Sequence, residues 1–221
     1  MRRLVLALDG VPFSYQAGQA AALGLHGQRE RRPYSIASAP SDSSSHGAIE
    51  FLLRANPGSG LGRHLDAVCA GARVDFEGPF GSFVLPDPLP ELPLLFVAGG
   101  TGLAPLRSLA RQARAIGHRG PRHLLYSVRD VEDVAYAEEL ARWDQDHGGE
   151  ALITLTRHAE VEWIGRRGRI DVPLLRRFAG DVLPLCFLCG PPTMVEDLTH
   201  ALSQLGVPAD HVRTEQWAPF V

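Results

Sequence analysis

Short apolar stretches with alternating polar positions fill the first part of the chain, up to Pro90, and turn residues separate them. This pattern predicts short strands, and short strands at near-regular spacing favour a small antiparallel barrel or sandwich. One helix is predicted from Gly62 to Val68, and the serine-rich stretch from Ser38 to Ser45 is predicted to be an exposed connection without a function of its own. The predicted strands are RRLVLAL, AALGLHG, PYSIAS, AIEFLLRA and ARVDFEG.

A proline-rich segment, PDPLPELP from Pro86 to Pro93, separates this part from a second one with a different pattern. Four prolines in eight residues exclude a regular helix or a central strand, so we predict a linker between two domains, residues 1–88 and 89–221. Beyond it, apolar strands alternate with helices, which predicts a parallel sheet wrapped on both faces. The predicted strands are LPLLFVAGG, HLLYSV, ALITLTR, PLCFLCG and one around 211–215, and the predicted helices span 105–116, 134–145, 172–178 and 193–205.

Ligands of such sheets bind beyond the carboxyl ends of the strands. In this sequence those ends are Gly99 to Pro105, Val128 to Asp130, Thr156 to His158 and Cys189 to Pro192. We therefore expect the chemistry of the second domain to lie there.

The amino-acid composition excludes several classes of chemistry. The chain has 221 residues with 22 basic and 25 acidic side chains, all of the basic ones arginine, and a net charge of −3. A chain without lysine forms neither a Schiff base nor a lysine-containing P-loop. Because the net charge is close to zero, the protein has no strong positive field to attract a nucleic acid, and we expect no nucleic-acid partner.

The cysteines and the apolar runs bear on cofactors and location. Cys69, Cys186 and Cys189 fall short of the four thiolates that an iron-sulfur cluster normally uses, so we predict no cluster, no other metal site and a reducing compartment. No apolar run reaches the roughly 18 residues of a membrane span, and the start does not read as a signal peptide. We expect a cytoplasmic protein with no membrane partner.

Two glycine motifs follow strands of the second domain. GGTGLAP, from Gly99 to Pro105, opens a helix, so it is either a nucleotide loop whose amides face a pyrophosphate or simply a tight strand-to-helix turn. CGPP, from Cys189 to Pro192, places a thiol at the sheet edge before a rigid turn. Cys186 reads as a buried cysteine of the strand. A redox pair of Cys186 and Cys189 is disfavoured, because residues three apart in a strand point to opposite faces.

Two motifs of the first domain are ambiguous in isolation. RPYS, from Arg32 to Ser35, offers a guanidinium for phosphate, an aromatic face and a hydroxyl, but it suits a surface strand equally well. GPFG, from Gly78 to Gly81, is also consistent with a simple turn.

In the order RPYS, helix, GPFG, linker, GGTGLAP, CGPPTM and a terminal EQW, the chain resembles the ferredoxin-NADP reductase superfamily of two-domain flavoprotein reductases over nearly its whole length. The resemblance implies a six-stranded antiparallel barrel that binds FAD, or alternatively FMN, followed by a parallel α/β domain that binds NADPH or NADH. RRLVLAL looks like the second strand of that barrel, so either the barrel has an exposed edge or the given start is late. Only four residues follow Trp217, so we expect no fused ferredoxin module.

By position in the first domain, the resemblance implies that Arg32 holds the flavin phosphate, Tyr34 packs on the isoalloxazine and Ser35 lies near flavin N5. The second phosphate loop falls on 60–65, where Gly62 replaces the usual serine or threonine and removes one hydroxyl contact. The other flavin-binding residues that the resemblance implies are Pro33, Ile36, Ser38, Gly60, Leu61, Arg63 and His64.

In the second domain the resemblance implies that Cys189 faces the nicotinamide, that Glu215 lies near it and that Trp217 covers the flavin. Ser35, Cys189 and Glu215 are thus the implied catalytic residues. The implied nicotinamide-cofactor residues are Gly100, Thr101, Gly102, Pro105, Arg129, Arg157, Gly190, Pro191, Met194 and Trp217.

The expected reaction passes a hydride from NAD(P)H to bound flavin and then single electrons to a separate ferredoxin, flavodoxin or oxygenase component. The alternatives are a flavin reductase that releases its flavin, an electron-transfer subunit of a larger dehydrogenase, and a non-catalytic nucleotide-sensing domain. The second of these would carry a carboxyl-terminal cysteine cluster, which the sequence lacks. Arg157, with Arg166, Arg167 and Arg169, favours NADPH, although these arginines also suit a solvated basic loop.

Overall fold

The first domain consists of antiparallel strands. The computed structural model describes residues 1–54, 70–157 and 162–216, and the predicted helix at 62–68 lies outside these ranges. The strands are β1 (Arg2–Ala7), β2 (Ala20–Leu25), β3 (Arg32–Ser35), β4 (Ala48–Leu53) and β5 (Val74–Phe80). One sheet has the order β3-β2-β5, β1 pairs with β4, and a bridge between Ile36 and Phe51 joins the two sheets. We call this part the antiparallel domain.

The serine-rich stretch connects β3 and β4, as predicted, and Ser41, Ser44 and Ser45 are exposed. The loop expected there is, however, a helix, α1 (Pro40–His46), and Ser43 is buried in it. Pro40 pre-sets the backbone of the first turn, and the Asp42 carboxylate accepts a hydrogen bond from the Ala39 amide at 3.1 Å. Gly47 ends the helix with φ 62°. These end signals outweigh a composition that is typical of loops.

The second domain contains a six-stranded parallel sheet, and we call it the parallel domain. Its strands are β6 (Leu94–Gly99), β7 (Arg122–Val128), β8 (Ala151–Leu155), β9 (Arg166–Arg167), β10 (Leu185–Gly190) and β11 (Val212–Gln216). They lie in the order β11-β10-β6-β7-β8-β9. Together the two domains confirm the predicted fold class. The predicted boundary between residues 88 and 89 falls in the irregular segment between β5 and β6 and stays a prediction.

The helices of the parallel domain follow the prediction except in one place. They are α2 (Leu103–Ala115), α3 (Ala137–Leu140), α4 (Trp143–His147), α5 (Val172–Ala179) and α6 (Pro192–Gln204). The continuous helix predicted over 134–145 was wrong. Tyr136, with φ 55°, delays the start of α3 to Ala137, and Arg142, with φ −112° and ψ 14°, leaves the helical conformation between α3 and α4. The two-residue strand β9 was not predicted.

Two hydrophobic clusters cover the two faces of the parallel sheet. The first, which we call the interface core, includes residues of both domains, and an edge contact between Phe83 and Phe187 with centroids 5.9 Å apart belongs to it. The second, which we call the outer core, contains residues of the parallel domain alone. Cys189 belongs to the interface core and Cys186 to the outer core, so the two thiols lie on opposite faces as predicted.

None of the helices in the described ranges combines the length and apolar character that a membrane-spanning helix needs.

Candidate active site and nucleotide cavity

A cavity of about 320 Å³ opens at the carboxyl edge of the parallel sheet. Main-chain and side-chain groups from the ends of β6, β7 and β8 and from the start of α6 line it. Its lining includes Gly99, Gly100, Ser127, Arg129, Thr156, Arg169, Pro191, Thr193, Met194 and Asp197. The prediction that ligands of this domain bind beyond the strand ends thus falls on a real concavity.

The glycine motif forms the tight strand-to-helix turn, and part of it lines the cavity, so its use as a nucleotide loop stays a prediction. Gly100 has φ 58°, which favours glycine, and it lines the cavity. A Cβ on Gly102 would lie 2.1 Å from the Cys189 carbonyl oxygen, so Gly102 lets the start of α2 approach β10. Pro105 is buried in the first turn of α2, while Thr101 is half-buried and does not line the cavity. Gly99 and Gly100 therefore face the ligand space, and Gly102 and Pro105 shape the turn.

Residues from both domains meet beside Cys189. Cys189 and Glu215 lie opposite each other in the parallel register of β10 and β11. The Ser35 hydroxyl, at the end of β3, donates to Oε2 of Glu215 at 3.2 Å, and the Cys189 thiol lies 3.7 Å from the same oxygen. The three residues implied as catalytic are thus in one cluster, which we call the reactive contact.

Burial sets the protonation of the reactive contact. It raises the pKa of Glu215, and the hydrogen bonds from Ser35 and Cys189 offset only part of that rise. Burial also raises the pKa of the Cys189 thiol, and the nearby carboxylate adds to the effect. Cys189 is therefore a neutral thiol at neutral pH, and Glu215 holds a proton at a higher pH than an exposed glutamate does.

The other implied flavin residues divide between surface and core. Arg32 donates to Oε1 of Glu30 through Nε at 2.9 Å and Nη2 at 2.6 Å, so its guanidinium already has an acidic partner. Pro33 is exposed, and Tyr34 is half-buried beside Ser35.

Ile36 and Ser38 are buried. Ile36 packs in the core of the antiparallel domain. The Ser38 hydroxyl accepts from the Glu50 amide at 3.1 Å and lies 3.0 Å from the Tyr15 hydroxyl. Both side chains face protein, so any contact that these two residues make with a flavin would come from their backbone.

The implied nucleotide residues of the parallel domain lie at or near the cavity. Arg129 is exposed and lines it, as do Pro191 and Met194, while Gly190 packs against Gly99. Arg157 is exposed at the end of β8 and pairs with Asp130 at 3.2 Å.

The remaining implied residues are Gly60, Leu61, Gly62, Arg63, His64 and Trp217. They lie outside the described residues.

Several lining residues were not among the implied ones. Thr156 directly follows β8 and was within the predicted strand end 156–158, and Ser127 is the last residue but one of β7, next to the predicted end 128–130. Asp197 lies four residues after Thr193 and therefore on the same face of α6. Arg54, paired with Asp133 at 3.8 Å, comes from the antiparallel domain and depends on how the two domains pack, which no local pattern reveals.

The described residues suit the two cofactors in different ways. Hydroxyls, the cavity-lining Gly99 and Gly100, and the guanidinium groups of Arg129 and Arg169 match the riboses and phosphates of a dinucleotide. Tyr34 and Ser35 place an aromatic ring and a hydroxyl on β3, an edge strand of its described sheet, where a flat ring can stack against them. An antiparallel domain packed on a parallel sheet that carries such a cavity at its carboxyl edge is the arrangement expected of a two-domain flavin oxidoreductase.

Comparisons with known proteins agree with this class. The family model "Oxidoreductase FAD-binding domain" matches residues 1–85, and "Oxidoreductase NAD-binding domain" matches residues 96–200. Ferredoxin--NADP reductase B of Sorangium cellulosum is 37% identical over 221 residues, which cover 95% of this chain and 88% of that protein. The naphthalene 1,2-dioxygenase system ferredoxin--NAD(P)(+) reductase component of Pseudomonas putida is 31% identical, with coverage of 99% and 65%.

A crystal structure of the Amycolatopsis cytochrome P450 reductase GcoB superposes with a TM-score of 0.85 at 29% identity and covers 98% of this chain and 65% of that one. The chain thus spans most of one relative and about two thirds of the other two proteins. It belongs to the ferredoxin-NADP reductase superfamily of NAD(P)H-dependent flavin oxidoreductases. Its cofactors are FAD and NAD(P)H.

Proposed function

We propose that this protein takes a hydride from NADPH onto FAD held by the antiparallel domain and passes the electrons to a separate acceptor protein. The observation that carries the proposal is the reactive contact, where Ser35 of one domain meets Cys189 and Glu215 of the other. Only Gly190 separates Cys189 from Pro191, which lines the cavity. Bound FAD supplies the chemistry that no side chain offers, because it accepts two electrons together and releases them singly.

The protein's own groups position the two cofactor rings and exclude water from between them. Hydride transfer requires two rings in near contact rather than a strong acid or base, so orientation accounts for most of the catalysis. Tyr34 provides a face for a ring from the antiparallel domain, and the buried, neutral Cys189 provides an apolar, polarisable surface from the parallel domain.

A proton that accompanies the electrons has a path between Ser35 and Glu215. Ser35 donates to Glu215 at 3.2 Å, and the carboxyl binds a proton more readily than an exposed one because it is desolvated. Glu215 therefore accepts or returns a proton, and Ser35 relays it toward the antiparallel domain.

Arginines near the cavity support NADPH over NADH. The extra phosphate of NADPH is recognised well by guanidinium groups, and Arg129 and Arg169 both line the cavity. Arg157 lies at the end of β8, and its pair with Asp130 is exposed and therefore weak, about 0–1 kcal/mol. A phosphate can compete with Asp130 for it.

The names of relatives support a protein acceptor. Those quoted above are a ferredoxin reductase, a dioxygenase-system reductase component and a cytochrome P450 reductase. We propose a ferredoxin, a flavodoxin or an oxygenase component as the acceptor of this chain.

The test begins with the purified protein. Mass spectrometry of the cofactor released on denaturation should give FAD, and anaerobic NADPH should bleach the yellow band in the native protein. Adding oxidised ferredoxin, flavodoxin or an oxygenase component should then restore the band. A protein whose band NADPH leaves unchanged would refute the proposal and favour a nucleotide-sensing domain.

A second candidate is a flavin reductase that releases its flavin. The ion pair between Arg32 and Glu30 favours it, because a neutralised arginine holds a flavin phosphate less firmly. Gel filtration separates the two, since a flavin reductase would emerge colourless and oxidise NADPH only when flavin is added.

A further inference from the structure

Helix α2 connects the glycine motif, which begins at Gly99, to the antiparallel domain. Its first turn packs on β10, and one turn later its side chains reach across the domain boundary. Arg107 Nη1 donates to the Ala37 carbonyl at 2.8 Å, and the Ser108 hydroxyl donates to the Ser38 carbonyl at 2.6 Å. Arg111 donates to both carboxylate oxygens of Asp42, at 2.7 and 3.0 Å.

Arg107 is the centre of this region. Its side chain is buried, and its Nε lies 3.0 and 2.9 Å from the two carboxylate oxygens of Glu139. Glu50, from β4 of the antiparallel domain, lies 3.8 Å from Nη1, and the Tyr136 ring lies under the guanidinium at 4.3 Å. The fork of a guanidinium satisfies all these partners at once, which an ammonium group does not.

Tyr136 shows that the arrangement is held against a backbone preference. Its φ of 55° is unfavourable for a bulky residue. Its hydroxyl donates to Oε1 of Glu50 at 2.7 Å while its ring contacts Arg107, so both ends of the side chain are used at the domain boundary. We call Arg107, Ser108, Glu139, Glu50 and Tyr136 the clamp.

The clamp binds the backbone of the segment that follows Ser35. Ala37 and Ser38 follow Ser35 by two and three residues, and their carbonyls are the groups that α2 holds. The same helix begins at the loop that lies against Cys189. One rigid helix therefore fixes both sides of the reactive contact.

We propose that Arg107 is a positioning residue: it holds the segment after Ser35 against α2 and so sets the distance between the flavin side and the nicotinamide side of the reactive contact. This inference rests on the proposed function for its catalytic meaning. Its structural part is open to test without either cofactor.

The two cysteines of β10 provide an internal comparison. Cys189 lies in the interface core, which both domains build, and Cys186 lies in the outer core of the parallel domain. Loosening of the domain boundary should expose Cys189 alone, whereas general unfolding should expose both. Iodoacetamide labelling of flavin-free protein, read for each cysteine by peptide mass spectrometry, distinguishes these cases.

For Arg107→Ala we expect labelling of Cys189 about tenfold faster than in the unmodified protein, with Cys186 unchanged. Arg107→Lys should give a smaller increase, because the lysine keeps the charge but not the fork. Ser108→Ala removes one hydrogen bond and should show the same selectivity more weakly, which keeps the test available should Arg107→Ala fail to fold. Arg114→Ala is the matched control, because Arg114 lies on the same helix and pairs with Asp146 inside the parallel domain.

Kinetics on the flavin-loaded protein complete the test. Arg107→Ala should lower the limiting rate of flavin bleaching at saturating NADPH about tenfold or more, while the dissociation constant of the dinucleotide and reoxidation by ferricyanide stay within a factor of about three. Equal labelling of Cys189 in Arg107→Ala and Arg114→Ala would overturn the inference, and so would a parallel rise at Cys186. Failure of NADPH to bleach the unmodified protein would instead refute the proposed function, and the labelling result would stand apart from it.

Discussion

Two of the contacts between the antiparallel and parallel domains, the clamp and the reactive contact, have opposite electrostatic character. At the clamp, Arg107 is paired with carboxylates and a ring, and Arg111 pairs with Asp42 close by. At the reactive contact, Glu215 has a hydroxyl and a thiol as its neighbours, and no arginine of the described ranges pairs with it.

The pKa values of Asp42, which lies close to the clamp, and of Glu215, in the reactive contact, are shifted in opposite directions. Burial opposes ionisation of Asp42, yet hydrogen bonds from Arg111 and the Ala39 amide outweigh it and hold the pKa of Asp42 below its usual value. Burial of Glu215 is not compensated in this way, and its pKa is raised. Paired, ionised side chains thus join the domains around the clamp. At the reactive contact the carboxyl of Glu215 has no such partner among the described residues, and it binds a proton at a higher pH than an exposed glutamate does.

The largest expected effect is on the reactive contact. Ser35→Ala removes the hydroxyl that donates to Glu215, so the limiting rate of flavin reduction should fall about 100-fold while NADPH binds as before. Stopped-flow absorbance measures both quantities. Ser44→Ala is the control, because Ser44 is exposed on α1; equal rates in the two variants would remove Ser35 from the mechanism.

At the clamp the expected effect is on stability. Glu139→Gln leaves the buried Arg107 without its closest carboxylate, and the free energy of unfolding should fall by about 2–3 kcal/mol. Urea unfolding of this variant should be compared with that of Glu138→Gln, its exposed neighbour. If the two midpoints coincide, the charges of the clamp do not hold the domains together.

The next effect concerns cofactor choice at the cavity. Arg157→Ala should raise the KM for NADPH about tenfold and leave that for NADH unchanged, because the side chain would contact only the extra phosphate. Steady-state kinetics with both cofactors check this, with the exposed Arg176 of α5 replaced by alanine as the control. An equal response to the two cofactors would show that Arg157 does not read the phosphate.

The smallest effect is the pH dependence of Glu215. A carboxyl whose pKa is higher in the folded protein costs stability above that pKa and nothing below the unfolded value, where both states are protonated. Glu215→Gln should therefore match or slightly exceed the unmodified protein in Tm at pH 7, and the difference should vanish toward pH 4. The exposed Glu77→Gln should show no such trend, and a loss of Tm at pH 7 in Glu215→Gln alone would contradict the assignment.

The reactive contact was foreseeable and the clamp was not. Cys189 ends an apolar strand, and carboxyl ends of parallel strands share one edge, so local pattern places it correctly. Ser35 and Glu215 came from the resemblance to a family. Arg107 reads in the sequence as an ordinary polar position on a helix, and its role depends on partners from β4 and α3 that are distant in the chain.

Helix α1 was also missed by the sequence analysis, although here the signals are local. Its serines suggested a loop, but Pro40, Asp42 and Gly47 supply the end signals of a helix. Ser43 is buried there, and its hydroxyl contacts that of Tyr15 at 2.7 Å. Composition alone does not decide a segment when its ends are specified.

The most direct test of a flavin and a nicotinamide meeting at the reactive contact is anaerobic stopped-flow absorbance of the FAD-loaded protein with NADPH and with NADPH deuterated at C4. We predict that the flavin band bleaches and that the deuterated cofactor bleaches it more slowly, since the C4–H bond breaks in that step. A flavin band that persists in the presence of saturating NADPH would contradict the account.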